Sequence, residues 1–84
     1  MDSKHFFDVS IITSRGVVFE GKAQSVIFPG ERGTFEILVN HKPLLSRLRS
    51  GTIDIDGEEI FVRDGVVKVN LNKVLAIVEA GGRE

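Results

Sequence analysis

Apolar and polar residues alternate along most of this 84-residue chain, which is the two-residue period of a β-strand with one buried face. In the first such segment Asp8 and Ser10 separate Phe7, Val9 and Ile11. These three apolar side chains are therefore predicted to share the buried face. Turn residues interrupt the alternation at short intervals, and no long stretch keeps the period of a helix. We predict an all-β antiparallel sandwich or barrel of about eight to ten short strands.

The hairpin that carries Ile55 and Ile60 can close in two ways. A four-residue loop pairs these two isoleucines, whereas a two-residue Asp-Gly turn sets Asp54 opposite Glu59. Like charges that face each other directly across a strand pair are unfavourable. We therefore expect the four-residue loop.

Three other segments carry clear local signals. Val74 to Val78 is apolar at every position, as in a strand that is covered on both faces or lies in the middle of a sandwich. Pro29 to Gly33 has the proline and glycines of a loop. Asp64 and Gly65 have the composition of a turn.

The composition excludes several classes of protein. The formal net charge is −1 and the basic residues are scattered, which argues against nucleic acid as the main partner. The chain has no cysteine, so a disulfide framework, a thiolate metal site and a cysteine nucleophile are excluded. No apolar run approaches the roughly 18 residues of a membrane helix, so any work at a membrane would be peripheral.

The polar residues do not form a recognisable catalytic or metal site. His5 and His41 lack the spacing of metal ligands, and no serine stands in a nucleophile motif. A cluster of acids decorates the exposed face and tip of one hairpin: Asp54, Asp56, Glu58 and Glu59. Water around such a tip would not separate the pKa values of two carboxylates as acid–base catalysis requires. We therefore predict a binding or scaffold role without a cofactor.

The segment from Asn40 to Leu48, NHKPLLSRL, follows neither period cleanly. Its leucines could plug the open end of the sandwich. Alternatively, because adjacent residues of an extended segment point in opposite directions, Leu44 could enter the core while Leu45 faces outward, or the reverse. A leucine exposed beside the rigid Pro43 would suit an interface anchor, and the residues alone leave both interpretations open.

Five segments occur in an order and spacing that belong together. They are FDVSIITSRGVVFEG (7–21), AQSVIFPGERGTFEIL (23–38), NHKPLL (40–45), SGTIDI (50–55) and DGVVKVNLNKVLAIVEA (64–80). With these segments, which cover nearly the whole chain, the sequence resembles the epsilon subunits of F-type ATP synthases. The closest single match is NHKPLL, which resembles the family signature N/G-H-x-P-L-L.

The resemblance implies an antiparallel, ten-stranded β-sandwich of two sheets in a non-catalytic rotor subunit of the central stalk. Such a subunit couples the membrane c-ring of the proton-translocating enzyme to the gamma subunit, and through gamma to the catalytic alpha/beta head, during ATP synthesis. The implied gamma-subunit interface consists of Val18, His41, Pro43, Leu44 and Leu45. The implied loop facing the polar loops of the c-ring consists of Pro29, Gly30, Glu31, Arg32, Gly33 and Thr34.

The chain departs from the family pattern near that loop. Thr34 stands where the family usually has an acidic residue, Glu36 where it has a glycine, and Val39 where it has a proline. Either Glu31 or Glu36 could then supply the negative charge that faces the polar loop of the c subunit, or the c-ring of this enzyme differs.

The resemblance also bears on extent and location. Most members carry a two-helix hairpin after the sandwich, whereas this chain ends at Glu84. We expect a single domain over residues 1–84, a natural short form without the inhibition or ATP binding of that hairpin. The expected location is the cytoplasmic side of the bacterial inner membrane, as a peripheral protein, with the plastid thylakoid as the alternative. The competing function is a free-standing β-sandwich adaptor or ligand-binding module with a concave pocket.

Overall fold

The computed structural model describes residues 5–80 and shows an all-β chain. Its strands are β1 (Phe7–Thr13), β2 (Gly16–Ala23), β3 (Ser25–Gly30), β4 (Gly33–Leu38), β5 (Leu44–Leu48), β6 (Gly51–Ile55), β7 (Glu58–Asn70) and β8 (Lys73–Ala80). The predicted all-β class is confirmed, with eight strands in this part of the chain where the resemblance implied ten. The predicted turn at Asp64 and Gly65 was wrong, because these residues continue β7.

The strands form two layers that share β7. One layer has the order β2-β1-β8-β7-β5, and the other joins β4, β3, β6 and the first half of β7. The pairing Gly30–Leu48 also links β3 to β5 at one end. A β-bulge between Val62 and Asp64 lets one long strand pass from one layer to the other.

Two details differ from the predicted antiparallel arrangement and hairpin. β1 and β8 pair in parallel, which is possible because most of the chain separates them in sequence. The β6–β7 hairpin closes through a two-residue turn, with Ile53 opposite Ile60 and Asp54 opposite Glu59. The four-residue loop was therefore wrong by two positions, a shift that keeps every side chain on its predicted face.

The turn chemistry explains why the shorter hairpin wins. Asp56 and Gly57 both have positive φ, 49° and 94°, as a two-residue hairpin turn requires. The Asp54 carboxylate accepts a hydrogen bond from the Gly57 amide at 2.7 Å, so its charge points to the turn rather than to Glu59. The Asp56 carboxylate accepts hydrogen bonds from the amides of Gln24 and Ser25, each at 3.0 Å.

The core lies between the two layers and is apolar, with no buried polar or charged side chain among the described residues. The predicted inward face of β1 is confirmed, since Phe7, Val9 and Ile11 are all almost fully buried. Phe28 stacks on Phe35 with ring centroids 5.7 Å apart. The buried set is Phe7, Val9, Ile11, Ala23, Val26, Phe28, Ile37, Leu48, Ile53, Ile55, Val62, Val67, Val69, Val74, Ala76 and Val78.

β8 lies between β1 and β7, as expected for a strand in the middle of a sandwich. Its alternate residues Val74, Ala76 and Val78 are buried, but Leu75 and Ile77 on the other face are exposed. The described residues therefore cover only one face of this strand. The outer surface of this layer therefore exposes apolar side chains, which is typical of an interaction site.

Candidate interaction surface

The segment Asn40–Leu48 divides between core and surface. Leu48 is buried, with 4% of its surface exposed, and Leu44 packs against the core from a half-buried position. Leu45 points away from both and is 71% exposed. Leu44 and Leu48 therefore belong to the core, and Leu45 is the leucine of the segment that stays exposed.

A pair of asparagines fixes the loop that precedes β5. The amide of Asn40 donates a hydrogen bond to the side-chain oxygen of Asn72, and the Asn72 side-chain amide donates to the Asn40 side-chain oxygen at 3.0 Å. Asn72 belongs to the β7–β8 turn, so the clamp ties two turns together at one end of the sandwich. His41 is half-buried just after this clamp, and its ring lies 2.7 Å from the Lys42 carbonyl oxygen, measured from Nδ1. The position of His41 is thus set by its neighbours.

Leu71, which the sequence analysis missed, lies at the same end of the sandwich. It is 79% exposed and has a φ of 49°, a left-handed conformation that leucine rarely adopts. An exposed leucine held in this way by the β7–β8 turn adds an apolar side chain next to the asparagine clamp.

The outer face of the five-stranded layer carries a continuous group of apolar side chains. In register, Ile77 of β8 lies beside Ile12 on one flank and Val66 on the other, and Ile12 lies beside Val17. Leu75 precedes Ile77 on the same face. We call Val17, Ile12, Ile77, Val66 and Leu75 the apolar strip.

The strip lies between two residues of the gamma-subunit interface that the resemblance implies. Val18 is 42% exposed and is the extra residue of a β-bulge in β2, at one edge of the layer. Leu45 lies on β5, at the opposite edge, next to Lys68, which lies next to Leu75. The two edges are four strand spacings apart, or roughly 19 Å. Val18 and Leu45 therefore do not touch, but they belong to one surface.

The sequence held a signal for the strip that the analysis did not use. Adjacent apolar residues in a half-buried strand must place one side chain inward and one outward. The doublets Ile11-Ile12 and Val66-Val67 have this form, as does the apolar run of β8.

The predicted c-ring loop is shorter than expected. Pairing between β3 and β4 continues to Gly30 and Gly33, which leaves only Glu31 and Arg32 in the turn. A Cβ on Gly30 would lie 2.6 Å from the Gly33 carbonyl oxygen, so this close approach requires glycine. Glu31 and Arg32 are exposed, whereas Pro29 and Gly30 are buried.

The turn is held against β5 by the backbone. The Glu31 amide donates to the Arg47 carbonyl oxygen at 3.0 Å, and the Arg49 amide donates to the Pro29 carbonyl oxygen at 2.9 Å. Glu36 lies farther along β4 and accepts a hydrogen bond from the Ser25 hydroxyl at 2.7 Å. Of the two acids considered for this site, Glu31 is therefore the one at the tip.

An exposed ion pair joins β1 to β2. Lys22 and Asp8 form an exposed ion pair at 2.7 Å, and the hydrogen bond from Lys22, together with its charge, lowers the pKa of the Asp8 carboxyl. Within residues 5–80 no group of three His, Cys, Asp or Glu side chains is placed to hold a metal ion. The same part of the chain contains no helix of the length and hydropathy needed to cross a bilayer.

These features define a small β-sandwich that has an apolar outer face and hydrogen-bonded turns at both ends. The chain matches the family model described as ATP synthase, Delta/Epsilon chain, beta-sandwich domain over residues 6–83, and it belongs to this family. Among its curated relatives, the ATP synthase epsilon chain of Sulfurimonas denitrificans is 40% identical over 76 residues, which cover 84% of this chain and 58% of the relative. The ATP synthase epsilon chain of a Nitratiruptor species is 43% identical over 76 residues, which cover 84% of this chain and 59% of the relative.

This chain thus spans somewhat over half the length of the relatives it matches. Among solved structures, a chain of the Euglena gracilis mitochondrial ATP synthase has a TM-score of 0.79 at 12% identity, covering 88% of this chain and 51% of that chain. A chain of the central stalk and c-ring structure of Tetrahymena thermophila mitochondrial ATP synthase has a TM-score of 0.72 at 14% identity, covering 86% and 62%. At such identities the likeness shows the fold.

Proposed function

We propose that this chain is a non-catalytic rotor subunit in the central stalk of a proton-translocating F-type ATP synthase. In this role it binds the gamma subunit and the polar loops of the c-ring, and couples ring rotation through gamma to the catalytic alpha/beta head. Its bacterial relatives support a location on the cytoplasmic side of the inner membrane, as a peripheral protein.

The observation that carries the proposal is the apolar strip. Exposed apolar side chains that are contiguous over several strands are unusual on a free monomer and mark an interaction site. Two of the strip's residues, Val17 and Ile77, are 61% and 49% exposed. Val18 extends the strip at the β2 edge, and Leu45 lies at the β5 edge, separated from Leu75 by Lys68. We assign this whole face to the gamma subunit.

The residues assigned to the two partners lie at opposite ends of β5. His41 and Pro43 precede β5, near the asparagine clamp, whereas the Glu31–Arg32 turn is pinned beside the end of β5. A partner on the outer face could then reach the His41 end while the Glu31–Arg32 turn stays open to the c-ring. Glu31, at the tip, supplies the negative charge toward the c subunit that the family's acidic residue would supply at the position of Thr34.

Stiffness suits this role, because a coupling element that yields under load would lose the stored rotation. Each charge that crosses the membrane contributes roughly 2.3 kcal/mol per 100 mV, and several crossings accumulate before one ATP is released. A close-packed apolar core and backbone-pinned turns resist that load.

A matched pair of variants tests the gamma assignment. Ile77 and Phe61 are both 49% exposed, but Phe61 lies on the outer face of the other layer, paired with Thr52 of β6. Ile77→Asp should weaken binding of the purified gamma subunit by about tenfold or more, because a carboxylate would be buried without a partner. Phe61→Asp should leave the dissociation constant within about twofold.

Isothermal titration calorimetry measures both dissociation constants, and thermal melts confirm that both variants are folded. Equal binding by wild type and Ile77→Asp would rule out the strip as the gamma-binding face. Equal loss in both variants would assign the effect to general destabilisation instead.

A further inference from the structure

A basic cleft opens at the end of the sandwich where β5 ends and β7 bends. Its volume is about 630 Å³. Three arginines line it: Arg47 from β5, Arg49 just after β5, and Arg63 from the bulge of β7. Along the sequence these arginines belong to a scattered basic set, and only the fold brings them together.

The backbones of the three arginines are fixed. The Arg47 carbonyl and the Arg49 amide hold the β3–β4 turn, and the Arg63 carbonyl accepts a hydrogen bond from the Ser50 hydroxyl. Across residues 5–80, none of the three guanidinium groups makes an ion pair or a hydrogen bond. Each guanidinium group carries five N–H donors, and no acceptor among the described residues uses them.

The remaining walls define what the cleft could hold. Two carboxylates, Glu31 and Asp64, also line it, so the formal charge of its five ionic groups is positive by one. Val66 and Ile77 contribute apolar surface to its lining. An occupant should therefore be an anion small enough to stay clear of the two carboxylates, joined to a part that tolerates apolar contact.

We propose that this cleft binds a phosphate group. Guanidinium groups match phosphate oxygens in a bidentate manner and are the usual protein donors to them. Three arginines that approach from β5, from the segment after it and from β7 suit a tetrahedral anion better than a planar carboxylate, which two guanidinium groups already saturate. The cleft shares Val66 and Ile77 with the apolar strip, so a bound gamma subunit would border it. Phosphate binding is tested on the isolated chain and does not require the gamma-binding proposal.

The test uses the whole 84-residue chain at low salt, because screening weakens exposed charge contacts. Pyrophosphate is titrated while the arginine side-chain Nε–Hε signals are followed by NMR. In a second arm the chain is sedimented with vesicles of phosphatidylcholine alone or with added phosphatidylglycerol. If pyrophosphate binds and neither kind of vesicle does, the ligand is a free phosphate compound. If the chain binds vesicles with phosphatidylglycerol more tightly than vesicles of phosphatidylcholine alone, the ligand is a lipid headgroup.

Three single variants with the same charge change provide specificity. Arg49→Gln and Arg63→Gln should each raise the dissociation constant by about tenfold, since each removes a charge-assisted contact. Arg15→Gln, in the exposed β1–β2 turn, should change it by less than about twofold. If pyrophosphate and the anionic vesicles both fail to bind, or if Arg15→Gln weakens binding as much as the cleft variants, the proposal is wrong.

Discussion

Two leucines of β5 differ in burial and should therefore contribute differently to stability and to binding. Leu45 is 71% exposed on β5, and Leu48, three residues later, is buried in the core. Leu45→Ala should weaken gamma binding by about 1–2 kcal/mol if Leu45 is an interface anchor. The same change should alter the free energy of unfolding by less than about 0.5 kcal/mol.

Leu48→Ala should have the opposite profile. Removing a buried leucine side chain costs about 2–5 kcal/mol of unfolding free energy, because it leaves a cavity. Urea unfolding followed by circular dichroism measures the stability of both variants, and titration calorimetry measures gamma binding. A Leu45→Ala variant that loses stability but keeps gamma affinity would make Leu45 a core residue rather than an anchor.

At the scale of the elements, the β6–β7 turn depends on Asp56. Its carboxylate accepts hydrogen bonds from two amides of the segment between β2 and β3, while its own backbone has a positive φ. Asp56→Ala should therefore destabilise the chain by about 1–3 kcal/mol. The change removes two charge-assisted hydrogen bonds and leaves alanine with a positive φ.

Glu58→Ala provides the control for this turn, since Glu58 is an exposed acid two residues away. It should change the unfolding free energy by less than about 0.5 kcal/mol. Equal stability of the Asp56→Ala and Glu58→Ala variants in urea titrations would show that the Asp56 contacts contribute nothing.

The same hairpin shows what a sequence pattern can and cannot predict. Alternation correctly placed Ile53, Ile55, Ile60 and Val62 on one face, because burial on one side of a strand leaves a two-residue period. The predicted register was wrong because the turn sets the register of this hairpin. In the turn, the carboxylates of Asp54 and Asp56 accept hydrogen bonds from backbone amides. Repulsion between Asp54 and Glu59 was the weaker effect, since their partly hydrated charges are screened.

At the scale of the whole molecule, long-range pairing was the least predictable feature. The parallel contact of β1 with β8 joins the two ends of the described chain and has no local signature. The basic cleft escaped prediction for the same reason, because its arginines meet only where β7 crosses between layers. The apolar strip, in contrast, was visible in adjacent apolar pairs, although only the two edges of that surface were predicted.

The proposed coupling role predicts an outcome in the assembled enzyme. Purified ATP synthase depleted of this chain and placed in vesicles should lose most of its proton-driven ATP synthesis. Adding back the wild-type chain or Phe61→Asp should restore it, whereas Ile77→Asp should not. Luminescence with luciferase measures the yield, and undiminished synthesis by the depleted enzyme would exclude the role.

The parallel pairing of β1 with β8 also constrains how the protein is made. β1 pairs with β2 soon after both are synthesised, but its other edge stays open until residues 73–80 have left the ribosome. Until then the nascent chain exposes an unpaired strand edge and the apolar side chains that β8 will cover. Such edges attract chaperones and other nascent chains. Completion of the sandwich is thus delayed until β8 has been synthesised, and pauses before β8 should increase aggregation.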